Sequence, residues 1–240
     1  MSINRLKEMI QESQNIVFFG GAGVSTESNI PDFRSETGLY TTSKNTQYPP
    51  EYMLSYTCFL KDTEDFYEFY KTKMIYKDAK PNDAHLVLAD LESRGKLKAV
   101  ITQNIDGLHQ MAGSKNVLEL HGSVHRNYCT KCNKFFSQDF ILNSPSIPKC
   151  SQCGGIVKPD VVLYEEGLNM YILDKAVRYI EKADMLIVGG TSLRVYPAAG
   201  LIEYYKGNKL VLINKSDTPY DRRAALIFNE SIGNVLRKST

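Results

Sequence analysis

The sequence predicts an α/β protein built on a parallel sheet with helices on both faces and a small metal-bearing module beside it. Three observations carry this. Near-continuous apolar bursts at 16–19, 97–101, 185–188 and 210–213 alternate with helix-like patterns, as buried parallel strands do. A glycine-rich run, Gly20 to Ser28, follows the first burst, the layout of a phosphate cradle ahead of a helix start. Two Cys-x-x-Cys pairs, 129/132 and 150/153, interrupt the alternation.

In chain order, Ile3, Leu6, Met9 and Ile10 share one face, so residues 2–14 read as an amphipathic helix. The strand 16–19 and the glycine run follow. Residues 35–50 are polar and proline-bearing, closed by Pro49-Pro50. A standard βαβ unit places its second strand about 30 residues after the first begins, so a loop stands where that strand belongs. Residues 51–78 carry Phe59, Phe66, Phe69, Tyr70 and Met74 at helical spacings and read as an inserted helical module whose aromatics form a core. Residues 81–95 read as a helix with Leu86 and Ala89 inward and Leu88 as a further inward candidate. Residues 97–102 and 117–120 are strands, and regular structure resumes after the cysteines at 161–164. A helix over 170–182, a strand over 185–188, a helix over 198–206 and a strand over 210–213 complete the pattern. Polar clusters follow the strands: Gln103 to Asp106, His121, Thr191-Ser192 and Asn214-Lys215. That carboxyl edge is where open α/β sheets bind ligands.

Bulk properties narrow the class. At 42% hydrophobic and 23% charged over 240 residues, the chain is long enough for one good core plus a small module. A net charge of +2 lacks the basic excess of a nucleic-acid binder. No stretch approaches the roughly 18 apolar residues of a membrane span. The opening residues hold no apolar signal core, so a cytoplasmic location is expected. In a reducing compartment, four paired cysteines argue for metal over disulfides.

Cys129-x-x-Cys132, 17 residues, then Cys150-x-x-Cys153 gives zinc its four tetrahedral ligands and leaves no open position. The predicted metal is therefore structural; four unliganded thiols are the plain alternative. Cys58 stands apart as a core residue. His121 at a strand end is a candidate general base, with a structural role as the alternative. His125 lies near the first knuckle as a candidate fifth ligand, but four cysteines already complete the set, while His85 packs or lies on the surface. Asn104 and Asp106 suit an amide or a ribose, or simply a turn. Gly189 to Ser192 suits phosphate or ribose, or a plain strand-to-helix turn.

In family order, Gly21-Ala22-Gly23-Val24-Ser25, Ile30-Pro31-Asp32-Phe33-Arg34-Ser35, residues 102–109, Leu120-His121-Gly122, the four cysteines, Lys158 to Val162 and Gly190-Thr191-Ser192-Leu193 resemble the sirtuins, NAD-dependent protein lysine deacylases. The resemblance covers nearly the whole chain, and its short length is similar to the compact bacterial members. It implies a Rossmann-like domain (1–34, 81–125 and 158–240) and a small domain of a helical insertion (35–80) and a zinc ribbon (126–157). It implies NAD contacts by Gly21, Ala22, Gly23, Thr26, Asp32, Phe33, Arg34, Gln103, Asn104, Ile105, Asp106, Gly190, Thr191, Ser192, Asn214 and Lys215. Phe33, Ile105 and Asp106 would form the nicotinamide pocket, with Gln103 and Asn104 on its ribose. His121, with Asn104, would be catalytic. Acyl-lysine proteins or peptides are the implied substrate, pairing with Val161, Val162, Leu163, Tyr164 and Glu165. The implied reaction cuts NAD, passes the acyl group to ADP-ribose and frees lysine; Phe33 would bury the leaving nicotinamide and keep water out.

The chain departs from the family pattern in places. Asn29 replaces a glycine, a change that left-handed backbone tolerates. Glu165 replaces a glycine in the peptide-pairing segment, adding charge that favours basic flanks. No Tyr in 51–78 has Arg three residues on, which favours acetyl-like or apolar acyl groups over succinyl. A hydride-transfer enzyme is disfavoured, because the ribose-binding acid about 20 residues past the glycines is missing. An ADP-ribosyltransferase, sharing the bond cleavage, is the principal alternative. A zinc-ribbon nucleic-acid module fails on charge.

Overall fold

The computed structural model describes residues 2–33, 38–42 and 48–240. Helix α1 (Ser2–Glu12) buries Leu6, Met9 and Ile10 and leads into β1 (Ile16–Gly20), which is buried throughout. The glycine run then forms two 3-10 turns, Ala22–Val24 and Thr26–Ser28, in place of the expected helix start. Ser, Thr and Asn side chains here compete for backbone partners, as Thr26 Oγ1 does by donating to the Gly23 carbonyl at 3.0 Å. Asn29 closes the second turn at φ 62°, so the asparagine does adopt the left-handed backbone.

Four short helices follow: α2 (Leu39–Thr42), α3 (Pro50–Met53), α4 (Tyr56–Lys61) and α5 (Thr63–Lys73). Among the described residues between β1 and α3 no strand occurs. Helix α6 (Asp83–Ser93) begins at an Asn82 cap whose side chain accepts from Ala84 N at 3.0 Å. Ala84, Leu88 and Leu91 turn inward and Leu86 is exposed, correcting the expectation for Leu86.

The chain continues through β2 (Leu97–Thr102), α7 (Leu108–Met111), β3 (Val117–Glu119), β4 (Gly122–Cys129), β5 (Phe135–Phe136), α8 (Gln138–Asn143) and β6 (Val157–Val161). The strand expected over 161–164 thus lies earlier, because it pairs antiparallel with β4 through Gly122–Val161 and Cys129–Val157. Next come α9 (Met170–Lys182), β7 (Met185–Gly189), a 3-10 segment Ala198–Tyr204 where an ordinary helix was expected, β8 (Leu210–Ile213), β9 (Leu226–Phe228) and α10 (Ile232–Ser239).

Six strands form one parallel sheet in the order β3-β2-β1-β7-β8-β9. Alternate side chains of each strand serve opposite faces. Phe18 and Ile187 pack with Leu6, Leu88 and Val235 of α1, α6 and α10. Phe19, Leu186 and Leu212 pack with Ala176, Ile180 and Ile202 on the other face. At about 1.5–3 kcal/mol per fully buried large apolar side chain, the short α10 belongs to the core through Val235 and Leu236.

A third core holds the rest. Phe59, Phe66, Tyr67 and Tyr70 pack against Val124, Ile141 and Val157, and the Tyr67 hydroxyl donates to the Val157 carbonyl. The helical insertion and the β5-β4-β6 sheet therefore share one interior. Cys58 is buried within it.

Candidate active site

The chain leaves β1 toward β2 and β3 and returns to β7, beside β1 on its other edge. This reversal is the switch point at which open parallel sheets form a crevice. The loops after β1 and β7 touch there through the backbone: Gly23 N–H donates to the Gly190 carbonyl at 2.8 Å, and Gly190 N–H to Ile213 at 3.0 Å. A Cβ on Gly190 would stand 2.3 Å from Val24 N, and its φ is +60°. Only glycine fits both the contact and the backbone angle.

The segment after β2 faces this cradle with side chains. Gln103 Nε2 donates to Thr191 Oγ1 at 3.1 Å. Asn104 Nδ2 donates to Ser25 Oγ at 3.0 Å, and Ser25 donates to Asp106 Oδ2 at 2.6 Å. The other Asp106 oxygen accepts from Leu108 N at 2.9 Å. Ser25, buried at 1% exposure, is thus the link between Asn104 and Asp106. It stands within the glycine run immediately before Thr26, and no pattern there marks the role that these distant partners give it.

His121 lies two residues beyond β3. Its Nδ1 sits 2.9 Å from the Gln103 carbonyl. A carbonyl only accepts, so Nδ1 carries the proton and the neutral ring keeps its lone pair on Nε2. Burial lowers the His121 pKa, opposed in part by that backbone hydrogen bond, so the ring is neutral at pH 7. Gly122 follows at φ +77°, where a Cβ would lie 1.9 Å from the Asp160 carbonyl oxygen. The turn carrying the histidine therefore presses on β6.

The other histidines differ. His85 and His109 are buried with ring centroids 4.7 Å apart. Burial pushes them down to about 4 and about 3, with His85 adding to the effect on His109. Neither lines the cleft. His125 Nε2 donates to the Asp106 carbonyl at 2.9 Å, which takes it to the cleft and leaves the metal set to the four cysteines.

Apart from Arg34, which lies outside the described residues, every residue expected to contact NAD or peptide lines one cleft of about 1070 Å³, together with His121. Glu230, Ser231, Arg194 and Tyr196 line it as well, with no motif in the sequence to announce them. On its far wall, Val162 N–H donates to the His121 carbonyl at 3.0 Å, while Tyr164 exchanges hydrogen bonds with Leu54 and Tyr56, each at 3.0 Å. Glu165 has φ +76°. Its carboxylate accepts from Thr57 N at 2.9 Å and Thr57 Oγ1 at 2.7 Å, so the charge is engaged at the start of α4.

The four cysteine sulfurs lie within 4.8 Å of one another, with Cys129–Cys153 at 3.4 Å and Cys132–Cys150 at 3.6 Å. A tetrahedral zinc with bonds of about 2.3 Å needs sulfurs roughly 3.8 Å apart. Lys131 N–H and Gln152 N–H point at Cys129 and Cys150, both at 3.4 Å. The set fits one structural zinc, with four thiolates completing its shell. None of the four lines the cleft.

Comparison with known proteins agrees with this arrangement. The Sir2 family profile matches residues 21–197. The chain is 71% identical over 232 residues to an NAD-dependent protein deacetylase of Clostridium tetani, covering 96% of this chain and 94% of the relative. It is 67% identical to one of Clostridium acetobutylicum, covering 98% and 96%. Among solved structures, a Sir2–p53 peptide–NAD+ complex superimposes with a TM-score of 0.86 at 41% identity, covering 99% of this chain and 97% of the other. A Sir2 protein bound to acetylated peptide gives 0.86 at 37% identity, covering 99% and 97%. On the profile match, the close relatives and the shared fold, this chain belongs to the Sir2 family.

Proposed function

We propose that the chain is an NAD-dependent protein lysine deacetylase. It consumes NAD as a substrate with acyl-lysine and water, and yields nicotinamide, O-acetyl-ADP-ribose and free lysine. The observation that carries this is His121, held neutral with Nε2 unprotonated, in the same cleft as the glycine cradle.

Each residue has a task in that reaction. Gly21, Ala22, Gly23 and Gly190 bring backbone close to the pyrophosphate, and Thr26, Thr191, Ser192, Asn214 and Lys215 hold the rest of the dinucleotide. Asp106, fixed by Ser25 and Leu108 N–H, receives the nicotinamide carboxamide, with Phe33 and Ile105 against the ring. Gln103 and Asn104 orient its ribose. The acyl oxygen captures C1′ as nicotinamide leaves. His121 Nε2 then removes the proton of a ribose hydroxyl, whose oxygen attacks the acyl carbon. Residues 161–165 pair with the peptide. Phe33, Leu39, Leu54, Met74 and Val124 give the cleft an apolar end suited to acetyl-like or apolar acyl groups.

A two-module division accompanies this reading, the six-stranded sheet for NAD and the helical and zinc-bearing part for closing the cleft. Among the described residues no helix is long and apolar enough to cross a membrane, and a cytoplasmic location is part of the same proposal.

The test is mass spectrometry of products from NAD and a panel of acylated peptides, with wild type and His121→Ala. Wild type is expected to release nicotinamide and acetyl-ADP-ribose. The variant should lose at least about a hundredfold, within the range for a general base, and keep its zinc. ADP-ribose appearing on protein in place of acetyl-ADP-ribose would favour the transferase reading.

A further inference from the structure

Strand β4 does not pair evenly with β6. Ser123 opposes Asp160 and Asn127 opposes Pro159, so residues 124–126 bulge out between two adjacent β6 positions. Bulges of this kind re-aim side chains next to functional sites. Here two of the three bulged residues, Val124 and His125, line the cleft. Val124 N–H donates to the Ile105 carbonyl at 3.0 Å, and His125 donates to the Asp106 carbonyl at 2.9 Å. Arg126 instead turns to the end of β3 and to β6.

Arg126 Nη1 bonds Glu119 Oε2 at 2.6 Å, and its Nε bonds Asp160 Oδ2 at 2.7 Å. The Glu119 side chain is only 8% exposed, and its second oxygen accepts from Gln110 Nε2 at 2.7 Å. A carboxylate so buried needs a cation beside it. Glu119 ends β3, two residues before His121. Asp160 opposes the strand that starts one residue after His121, and its carbonyl is the atom on which Gly122 presses. One guanidinium thus ties together the chain entering the histidine turn and the strand beneath its exit.

We infer that Arg126 is a positioning residue for His121: through Glu119 and Asp160 it fixes the turn that aims the histidine Nε2 into the cleft. This rests on His121 acting as the base. The planar fork of arginine suits the task, since it meets two carboxylates at fixed angles where lysine offers one point charge. Displacement of a catalytic group by about 1 Å is enough to lose on the order of a hundredfold in rate.

The test compares Arg126→Met, Arg126→Lys, Glu119→Gln and His121→Ala. Deacetylation is read as kcat and KM for NAD, and exchange of labelled nicotinamide into NAD reports the steps before the base acts. Arg126→Met is expected to lower deacetylation kcat by about ten- to a hundredfold, leave KM for NAD within about twofold, and leave exchange and zinc content near wild type. Arg126→Lys should recover part of the loss, and Glu119→Gln, which keeps shape and the Gln110 acceptor, should shift kcat the same way by less. Should Arg126→Met fail to fold, the Arg126→Lys and Glu119→Gln pair decides the question by the same readouts. Wild-type kcat in the folded variants, or deacetylation and exchange falling together, overturns the inference. An inactive His121→Ala beside a fully active Arg126→Met sinks the Arg126 role alone. A fully active His121→Ala sinks the base.

Discussion

In the glycine cradle two loops meet through main-chain atoms, Gly23 against Gly190. In the three-stranded sheet two knuckles meet through four sulfurs. The first contact exists because side chains are missing, so it is broken by adding atoms. The second exists because side chains converge on a metal, so it is broken by removing them. The two regions also differ in how damage spreads. The cradle sits on a sheet with its own cores on both faces, whereas the zinc-bearing sheet shares a core with α4 and α5.

The largest expected effect follows from that sharing. Structural zinc contributes on the order of 10 kcal/mol to small modules that cannot fold without it. Cys132→Ser, or treatment with a strong chelator, should open the three-stranded sheet and expose the Phe59, Phe66 and Tyr67 core. Deacetylation should be lost, because Val161 to Glu165 hang from β6. The six-stranded sheet should survive. Limited proteolysis checks this: cuts confined to residues 50–80 and 126–165 are expected, and cleavage throughout β1, β7 and β8 would show that the two regions are not separable.

A smaller effect is expected from the cradle. Gly190→Ala forces a Cβ against Val24 N in a left-handed conformation, at about 3 kcal/mol for strain and overpacking together. Urea unfolding should show that loss, and KM for NAD should rise while zinc content stays unchanged. A wild-type midpoint with wild-type KM would mean that the loops part freely and that their contact does not shape the site.

The same contrast governs what could be read from sequence. Glycines and cysteines are legible because few other residues meet their requirements. Hence the cradle, the metal set and the strand-end clusters around Asn104 and His121 were visible. The helix expected after the cradle was not there, since Thr26, Ser28 and Asn29 satisfy the backbone locally in 3-10 turns. Leu86 was misplaced because Ala84, Leu88 and Leu91, spaced i, i+4, i+7, form the stripe that packs in the core and leave Leu86 on the opposite face. Ser25 and Arg126 were invisible for another reason. Their roles lie in partners 79 to 81 and 7 to 34 residues away, and a bulge defines the second. Nothing in a linear pattern marks a register shift.

The smallest effect belongs to Glu165, where the two logics meet. It occupies a glycine-like backbone, φ +76°, yet uses its side chain to grip Thr57. Glu165→Gly removes about 1 kcal/mol of left-handed strain and forfeits exposed hydrogen bonds worth about the same. Its stability should therefore stay within about 1 kcal/mol of wild type, and Glu165→Ala, which keeps the strain and loses the bonds, should be the less stable of the two. Peptide selectivity separates tether from charge. If the tether sets the register of residues 162–166, Glu165→Gly broadens sequence tolerance and Glu165→Gln, still able to accept from Thr57, does not. If the negative charge selects basic flanks directly, Gln behaves like Gly. A peptide panel varied at flanking charge distinguishes these outcomes, and the carboxylate engaged on Thr57 favours the tether.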